Sequence, residues 1–202
     1  MNVHQAKARM RTGIRAARSS RSEADRSSAA QSLAYHGLNM LTDLPVDAVL
    51  TGYLSLPTEP DLDPLMAGAS AAGRRVLVPR IEGRDLAWVE FSPGDPVRSG
   101  PLGIREPLGP AVDLASVGVM FLPGLAVGPD GCRLGQGGGY YDRALSAIPE
   151  HADGGPRLVI VLFGDEVIDA VPAEEHDRHV DAALTPLGVT DFSRREPQAP
   201  TR

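Results

Sequence analysis

The chain has 202 residues, 42% of them hydrophobic and 23% charged, which suits one ordinary domain with a real core and excludes collagen-like and wholly disordered classes. No apolar run approaches the roughly 18–20 residues of a membrane-spanning helix, and the single cysteine, Cys132, rules out an internal disulfide or a cysteine zinc cluster. The net charge of −6 is uneven: residues 1–26 hold seven basic and two acidic side chains, so this arm is +5 on a body of −11.

From His4 to Arg18 the sequence reads as a helix rich in Ala and Arg. Lys7, Arg11, Arg15 and Arg18 recur at spacings of four, four and three, which sets them on one face. Taken alone, such a face is either solvated or turned toward an anion. An Arg-rich, Ser-rich start also resembles an organellar transit peptide, but the pattern runs unbroken into a second helix and no cleavage region follows, so a cytoplasmic protein is expected. Ser22 and Asp25 open that second helix, about 23–41, in a capping arrangement. Val46 to Tyr53 reads as a strand, Leu62 to Ala72 as a helix stopped by Gly73, and Arg75 to Val78 as a short strand ended by Pro79. Leu86 to Phe91 alternates as a strand should, and 93–110, with five Pro and four Gly, reads as a loop.

Val117 to Leu122 is a buried-type strand, followed by a long glycine-rich loop and a helix over 140–147. Leu158 to Phe163 and Val180 to Leu184 are the last strands. This alternation predicts an α/β fold, a single domain over 1–190 with a mostly parallel central sheet flanked by helices, and a disordered tail over 191–202.

The chemistry concentrates in Gly131-Cys-Arg-Leu-Gly-Gln-Gly-Gly-Gly-Tyr-Tyr-Asp-Arg143, where a strand runs through glycines into a helix start. Bare N–H groups and a fixed cation at Arg133 suit an oligophosphate. A Walker A loop is excluded because Lys7 is the chain's only lysine. The dinucleotide fingerprint is excluded because Tyr140 stands three positions after Gly137, where a glycine is required. A flexible surface loop is the plainer alternative. His176 and His179, three apart, suggest zinc only weakly, because no further ligands lie close by. No Gly-x-Ser-x-Gly is present and Cys132 lacks a histidine motif, so no protein nucleophile is evident.

The glycine segment resembles the signature of the 5-formyltetrahydrofolate cyclo-ligase family. Lys7-Ala-Arg-Met-Arg11, Tyr53-Leu54-Ser55 with Glu59, Val78-Pro79-Arg80, Gly103-Ile-Arg-Glu-Pro107 and Val171 to Asp177 with Val180-Asp181 resemble further landmarks in order, over about residues 5–187. The resemblance implies an ATP- and Mg²⁺-dependent ligase that cyclises 5-formyltetrahydrofolate to 5,10-methenyltetrahydrofolate. It also implies small-molecule substrates, no nucleic acid or membrane partner, and a monomer. By the same resemblance Arg133 and Tyr140 are catalytic. Lys7, Arg11, Arg133, Leu134, Gly135, Gln136, Gly137, Gly138, Gly139, Tyr140 and Tyr141 bind ATP. Leu54, Glu59 and Tyr140 contact the folate, and Asp142 and Asp177 hold magnesium. Without it, Tyr141 is as well read as core packing and Asp142 as a carboxylate favourable at a helix start. One departure stands out: Gln136 occupies a position that is often aromatic or basic in related proteins, so its contact is expected to differ. A polyanion-binding module using the basic helix is the alternative function, and the acidic body disfavours it.

Overall fold

The structure, a computed structural model, describes residues 2–173 and 177–192. Asn2 caps α1 (Val3–Ser20) in a reciprocal box: its side chain accepts from the Gln5 N–H at 2.8 Å, and the Gln5 side chain accepts in return from the Asn2 N–H. Ser22 caps α2 (Glu23–Met40) through the Asp25 N–H at 3.0 Å, as the Ser22–Asp25 pattern predicts.

Strands β1 (Val49–Thr51), β2 (Val76–Glu82), β3 (Asp85–Glu90), β6 (Ala111–Val112), β7 (Val117–Pro123), β10 (Arg157–Val161), β11 (Ala182–Thr185) and β12 (Gly188–Asp191) form one sheet in the order β12-β11-β10-β7-β1-β2-β3-β6. β11, β10, β7, β1 and β2 run parallel, and β12, β3 and β6 add antiparallel edges, so the expected mostly parallel sheet is present. Strand alternation divides the core into two layers. Val119, Phe121, Val159 and Val161 face α2 and α3 (Asp63–Ala71), against Leu33, Leu62 and Leu65. Met120, Leu122, Leu158 and Ile160 face the other way, toward Leu145 of α4 (Tyr140–Ser146). Among the described residues no helix is long and apolar enough to cross a membrane.

The sheet's topology determines where a ligand can enter. From β1 the chain goes to β2 on one side, and β7 later enters on the other. The segments leaving the carboxyl ends of β1 and β7 therefore diverge and open a crevice. After β7 the chain folds a small ribbon, β8 (Ala126–Val127) with β9 (Arg133–Leu134), whose Leu125, Cys132 and Leu134 pack under Met10 and Ile14 of α1. That contact seats α1 over the crevice.

Four expectations need correction. Pro79 does not end its strand: it pairs with Trp88 inside β2. The N–H of Phe91 donates to Val76, and by alternation the Pro79 nitrogen faces away from β3, on the side where β1 has already ended, so no ladder bond is lost. The proline- and glycine-rich stretch 93–110 is not all loop. It contains the hairpin β4 (Val97–Ser99) with β5 (Arg105–Pro107), pinned from beneath by Glu106. The first strand is shorter than expected, because Val46 is exposed while Tyr53 and Leu54 bend away into the crevice. At the other end, Asp191 lies in β12 and the Phe192 N–H donates to Asp181, so the fold runs two residues past 190. Residues 193–202 lie outside those described.

Candidate active site

The segment leaving β1 closes on itself. The Ser55 hydroxyl donates to the Pro60 carbonyl at 3.0 Å and accepts from the Leu62 N–H, and the Tyr53 hydroxyl also reaches Pro60. This compact turn holds Glu59 at 8% exposure with one carboxylate oxygen on the Leu56 N–H at 3.0 Å. Tyr53, Leu54 and Glu59 line a cleft of about 410 Å³ together with residues 135–142 of the glycine segment. A second cleft of about 500 Å³ adjoins it past Leu56, Glu59 and Arg105, toward the start of α2.

The glycine segment is built to leave its backbone bare. Gly137 (φ +98°) and Gly139 (φ +68°) take left-handed conformations that side chains rarely adopt. No N–H from Gly135 to Gly139 donates to a group among the described residues. The helix that follows has only seven residues, so the anion-binding character comes from these N–H groups and from the cations around them rather than from a long helix dipole. Leu134 is fully buried in the ribbon beneath, and its side chain faces the core.

The basic stripe of α1 is buried at Lys7 and Arg18, intermediate at Arg11 and exposed at Arg15. Lys7, 6% exposed, donates to Asp177 Oδ2 at 2.6 Å. Arg11 Nε donates to the Gly135 carbonyl at 2.9 Å. Its two Nη groups donate to nothing among the described residues, and its guanidinium lies where a side chain added at Gly137 would meet it. Arg15 donates to the Gln136 side-chain oxygen from Nε and Nη2, at 3.1 and 2.9 Å, and to the Gln136 carbonyl at 2.8 Å. Arg18, 1% exposed, makes a two-pronged pair with Glu166 at 2.7 and 2.8 Å and donates to the Gly124 carbonyl at the end of β7. The solvated-face reading therefore fails for Lys7 and Arg18, while Arg15 stays exposed on its contacts with Gln136. Arg15 and Arg18 were absent from the expected site, although the same 4-4-3 spacing marks them. Nothing local in the sequence marks Glu166, 148 residues away from Arg18.

Both acids assigned to magnesium are in ion pairs with the site's own cations. Asp142 accepts from the buried Arg133, which also donates to the Arg178 carbonyl, and Asp177 accepts from Lys7. Asp142 is half-exposed at the cleft, and the pair uses its Oδ1. No group of three or more His, Cys, Asp and Glu side chains is gathered for a metal among the described residues. His179 contacts the Asp130 carbonyl at 2.9 Å, and the expected partner His176 lies outside the described residues.

Burial keeps two of the pocket's phenols, Tyr53 and Tyr141, neutral. Burial raises Tyr53 well above the usual range, and the Glu59 charge raises it further; Tyr141 is raised by the same two causes in the same order. Tyr141 packs edge-on against Trp88, and its buried hydroxyl has no partner among the described residues. Tyr140 lies half-buried in the cleft with the Arg143 guanidinium 5.0 Å above its ring. Cys132, fully buried, has its thiol pushed up to about 11 by burial first and then by the Asp177 and Asp130 charges. Only about a thousandth of it is thiolate at pH 8. Iodoacetamide at that pH is therefore expected to leave Cys132 unlabelled in the native protein and to label it fully after denaturation, as read by intact mass. Rapid native labelling would contradict its burial.

The roof of the cleft hangs on Glu106. This carboxylate, 1% exposed, accepts from the Ile81 N–H at 3.0 Å and from Arg98 at 3.1 Å, and so ties the β4–β5 hairpin to β2 and sets Ile104 and Arg105 over the pocket.

A cleft at the switch point of a mostly parallel sheet, lined by bare glycine N–H groups, arginines and a buried carboxylate, is a ligand-binding site of the kind that α/β enzymes carry there. The profile of the 5-formyltetrahydrofolate cyclo-ligase family matches residues 3–186, and the chain belongs to that family. A 5-formyltetrahydrofolate cyclo-ligase of Mycolicibacterium smegmatis is 32% identical over 191 residues, covering 89% of this chain and 93% of that protein. The protein of the same name from Escherichia coli K12 is 28% identical over 146 residues, covering 69% and 79%. Among solved structures, the 5,10-methenyltetrahydrofolate synthetase of Aquifex aeolicus superposes with a TM-score of 0.73 at 26% identity, covering 97% of this chain and 96% of that one. A Mycoplasma pneumoniae synthetase, at TM-score 0.71 and 18% identity, shares the fold.

Proposed function

We propose that this enzyme closes the ring of 5-formyltetrahydrofolate at the expense of ATP, giving 5,10-methenyltetrahydrofolate, ADP and phosphate. The observation that carries the reading is the single cleft that gathers the buried Glu59 carboxylate, the bare N–H groups of the glycine segment, and Arg15 and Arg133 in one lining. The formyl oxygen attacks the γ-phosphorus of ATP and ADP leaves. N10 then attacks the activated formyl carbon to form the new C–N bond and gives up its proton to solvent, and the C–O bond breaks as phosphate leaves, giving the methenyl cation. Such a route requires positioned charge and no protein nucleophile, in keeping with the neutral Tyr53 and Tyr141 and the protonated Cys132.

In this reading Arg11 and the N–H groups of Gly135 to Gly139 hold the phosphates, with Lys7 at the far end of the row. Arg133 keeps Asp142 in place at the cleft wall. Tyr140 flanks the reacting groups, and Leu54 and Glu59 receive the pterin, whose N–H groups a carboxylate can accept. Magnesium needs one or two carboxylates beside phosphate oxygens; Asp142, half-exposed at the cleft and paired through Oδ1 alone, can supply one, whereas Asp177 would have to share its carboxylate with Lys7. When bound, magnesium neutralises phosphate charge. We assign the working form as a cytoplasmic monomer on the same reading, and a lone buried thiol suits a reducing compartment.

Phosphate release from ATP tests the reading. It is expected to require 5-formyltetrahydrofolate and to match it one for one; release independent of the folate would contradict it. Glu59→Gln is expected to weaken the folate about tenfold by titration calorimetry and to leave ATP affinity within twofold, because one charge-assisted contact, to the folate, is lost. Equal weakening of both ligands would remove Glu59 from the pterin end.

A further inference from the structure

Glu59 is not held by its own loop alone. Its Oε2 rests on the Leu56 N–H, and its Oε1 accepts from the Gln136 side-chain Nε2 at 3.0 Å. Gln136 in turn is held from the other side by Arg15, which donates twice to Oε1 and once to the Gln136 backbone carbonyl. This arrangement settles which way the amide faces. A flip would set its oxygen against the Glu59 carboxylate and its NH₂ against a guanidinium, two repulsive contacts in place of three attractive ones. Three segments that are distant in sequence, α1, the glycine loop and the turn after β1, thus meet in one chain of donors and acceptors lining the cleft.

We infer that Gln136, oriented by Arg15, is a positioning residue for the folate. It fixes one oxygen of Glu59 so that the remaining lone pairs of that carboxylate point at the substrate. The inference rests on the reading that the Glu59 end receives the pterin. A carboxylate has about four acceptor sites, and the two fixed donors leave two for a ligand's N–H groups in a set direction. Without the amide, a carboxylate tethered only through Leu56 can rotate about its last bonds, and the substrate must then supply the ordering. An aromatic residue at position 136 could not make this link. A lysine or arginine there would face Arg15 with like charge, so at this site Arg15 and Gln136 act as a matched pair.

The test uses the full-length protein, titrated calorimetrically with 5-formyltetrahydrofolate and, separately, with a non-hydrolysable ATP analogue and magnesium. Gln136→Met keeps the length of the side chain and removes both polar contacts. It is expected to weaken the folate about tenfold, leave the ATP analogue within twofold, and raise the folate KM with kcat little changed. Gln136→Glu, which keeps an acceptor for Arg15 but opposes Glu59 with a second carboxylate, is expected to weaken the folate further. Arg15→Met is expected to cost about threefold alone and nothing more when added to Gln136→Met, because the two act through one link. Unchanged folate affinity in Gln136→Met, or equal loss for both ligands, would overturn the inference, the second result meaning that Gln136 only holds the loop. Additive losses for Arg15 and Gln136 would overturn Arg15's part in it. Glu59→Gln, run alongside, separates the two levels: if it leaves folate affinity unchanged the pterin placement fails, whereas folate loss there without loss in Gln136→Met defeats the positioning role alone.

Discussion

Arg11→Ala is expected to lower kcat/KM about 10²–10³-fold, the loss typical of a donor aimed at developing charge, while leaving the fold intact. The geometry singles out this residue. Among the described residues only its Nε is used, on the Gly135 carbonyl, which leaves the two Nη groups for a ligand at the glycine loop, where a side chain added at Gly137 would meet the guanidinium. Arg133 is a poorer probe of the same chemistry, because it is buried between Asp142 and the Arg178 carbonyl and its removal disturbs the framework as well. Arg11→Lys is expected to fall in between, since an ammonium group cannot hold the Gly135 carbonyl and present a two-donor fork at once. Steady-state phosphate release, with a thermal melt to confirm folding, checks this. Rates within threefold of the parent in Arg11→Ala would remove Arg11 from the phosphate end.

The largest effect on stability is expected from Glu166→Ala, about 3–5 kcal/mol by urea unfolding, with the midpoint lowered and the slope unchanged. Arg18 is 1% exposed and Glu166 3% exposed, and removing the carboxylate leaves a guanidinium buried against Phe163 with only the Gly124 carbonyl to meet it. It also frees the Phe163 N–H, which donates to Glu166 at 2.9 Å. The double variant Arg18→Met with Glu166→Leu is expected to recover most of the loss, since packed apolar side chains replace a buried ion pair at little cost. A double variant as unstable as the sum of its singles would mean that Arg18 and Glu166 act independently and not as a pair.

Much of this arrangement was legible in the sequence where the signal is local. The 4-4-3 spacing of Lys7, Arg11, Arg15 and Arg18 places the stripe correctly, and the glycines of 135–139 mark a backbone left bare by positive φ at Gly137 and Gly139. What the stripe touches was not legible, because its partners lie up to 170 residues away: Asp177 for Lys7 and Glu166 for Arg18. The same holds for Gln136, a departure in sequence that becomes a bridge only once a residue 77 positions away folds against it. Asp142 and Asp177 were read as acids awaiting a cation, and the fold supplies each with a basic partner. Pro79 and the stretch 93–110 misled for a different reason. Proline punctuates a chain only where its missing N–H is needed, and at Pro79 the neighbouring strand has already ended.

The most direct measurement is an absorbance assay with 5-formyltetrahydrofolate, ATP and magnesium, following the near-ultraviolet band of the methenyl product. The account predicts that the band appears only when all three are present, that it is lost in Arg11→Ala, and that Gln136→Met retains it at raised folate concentration. ATP binding with no band under any of these conditions would contradict ring closure as the reaction of this cleft.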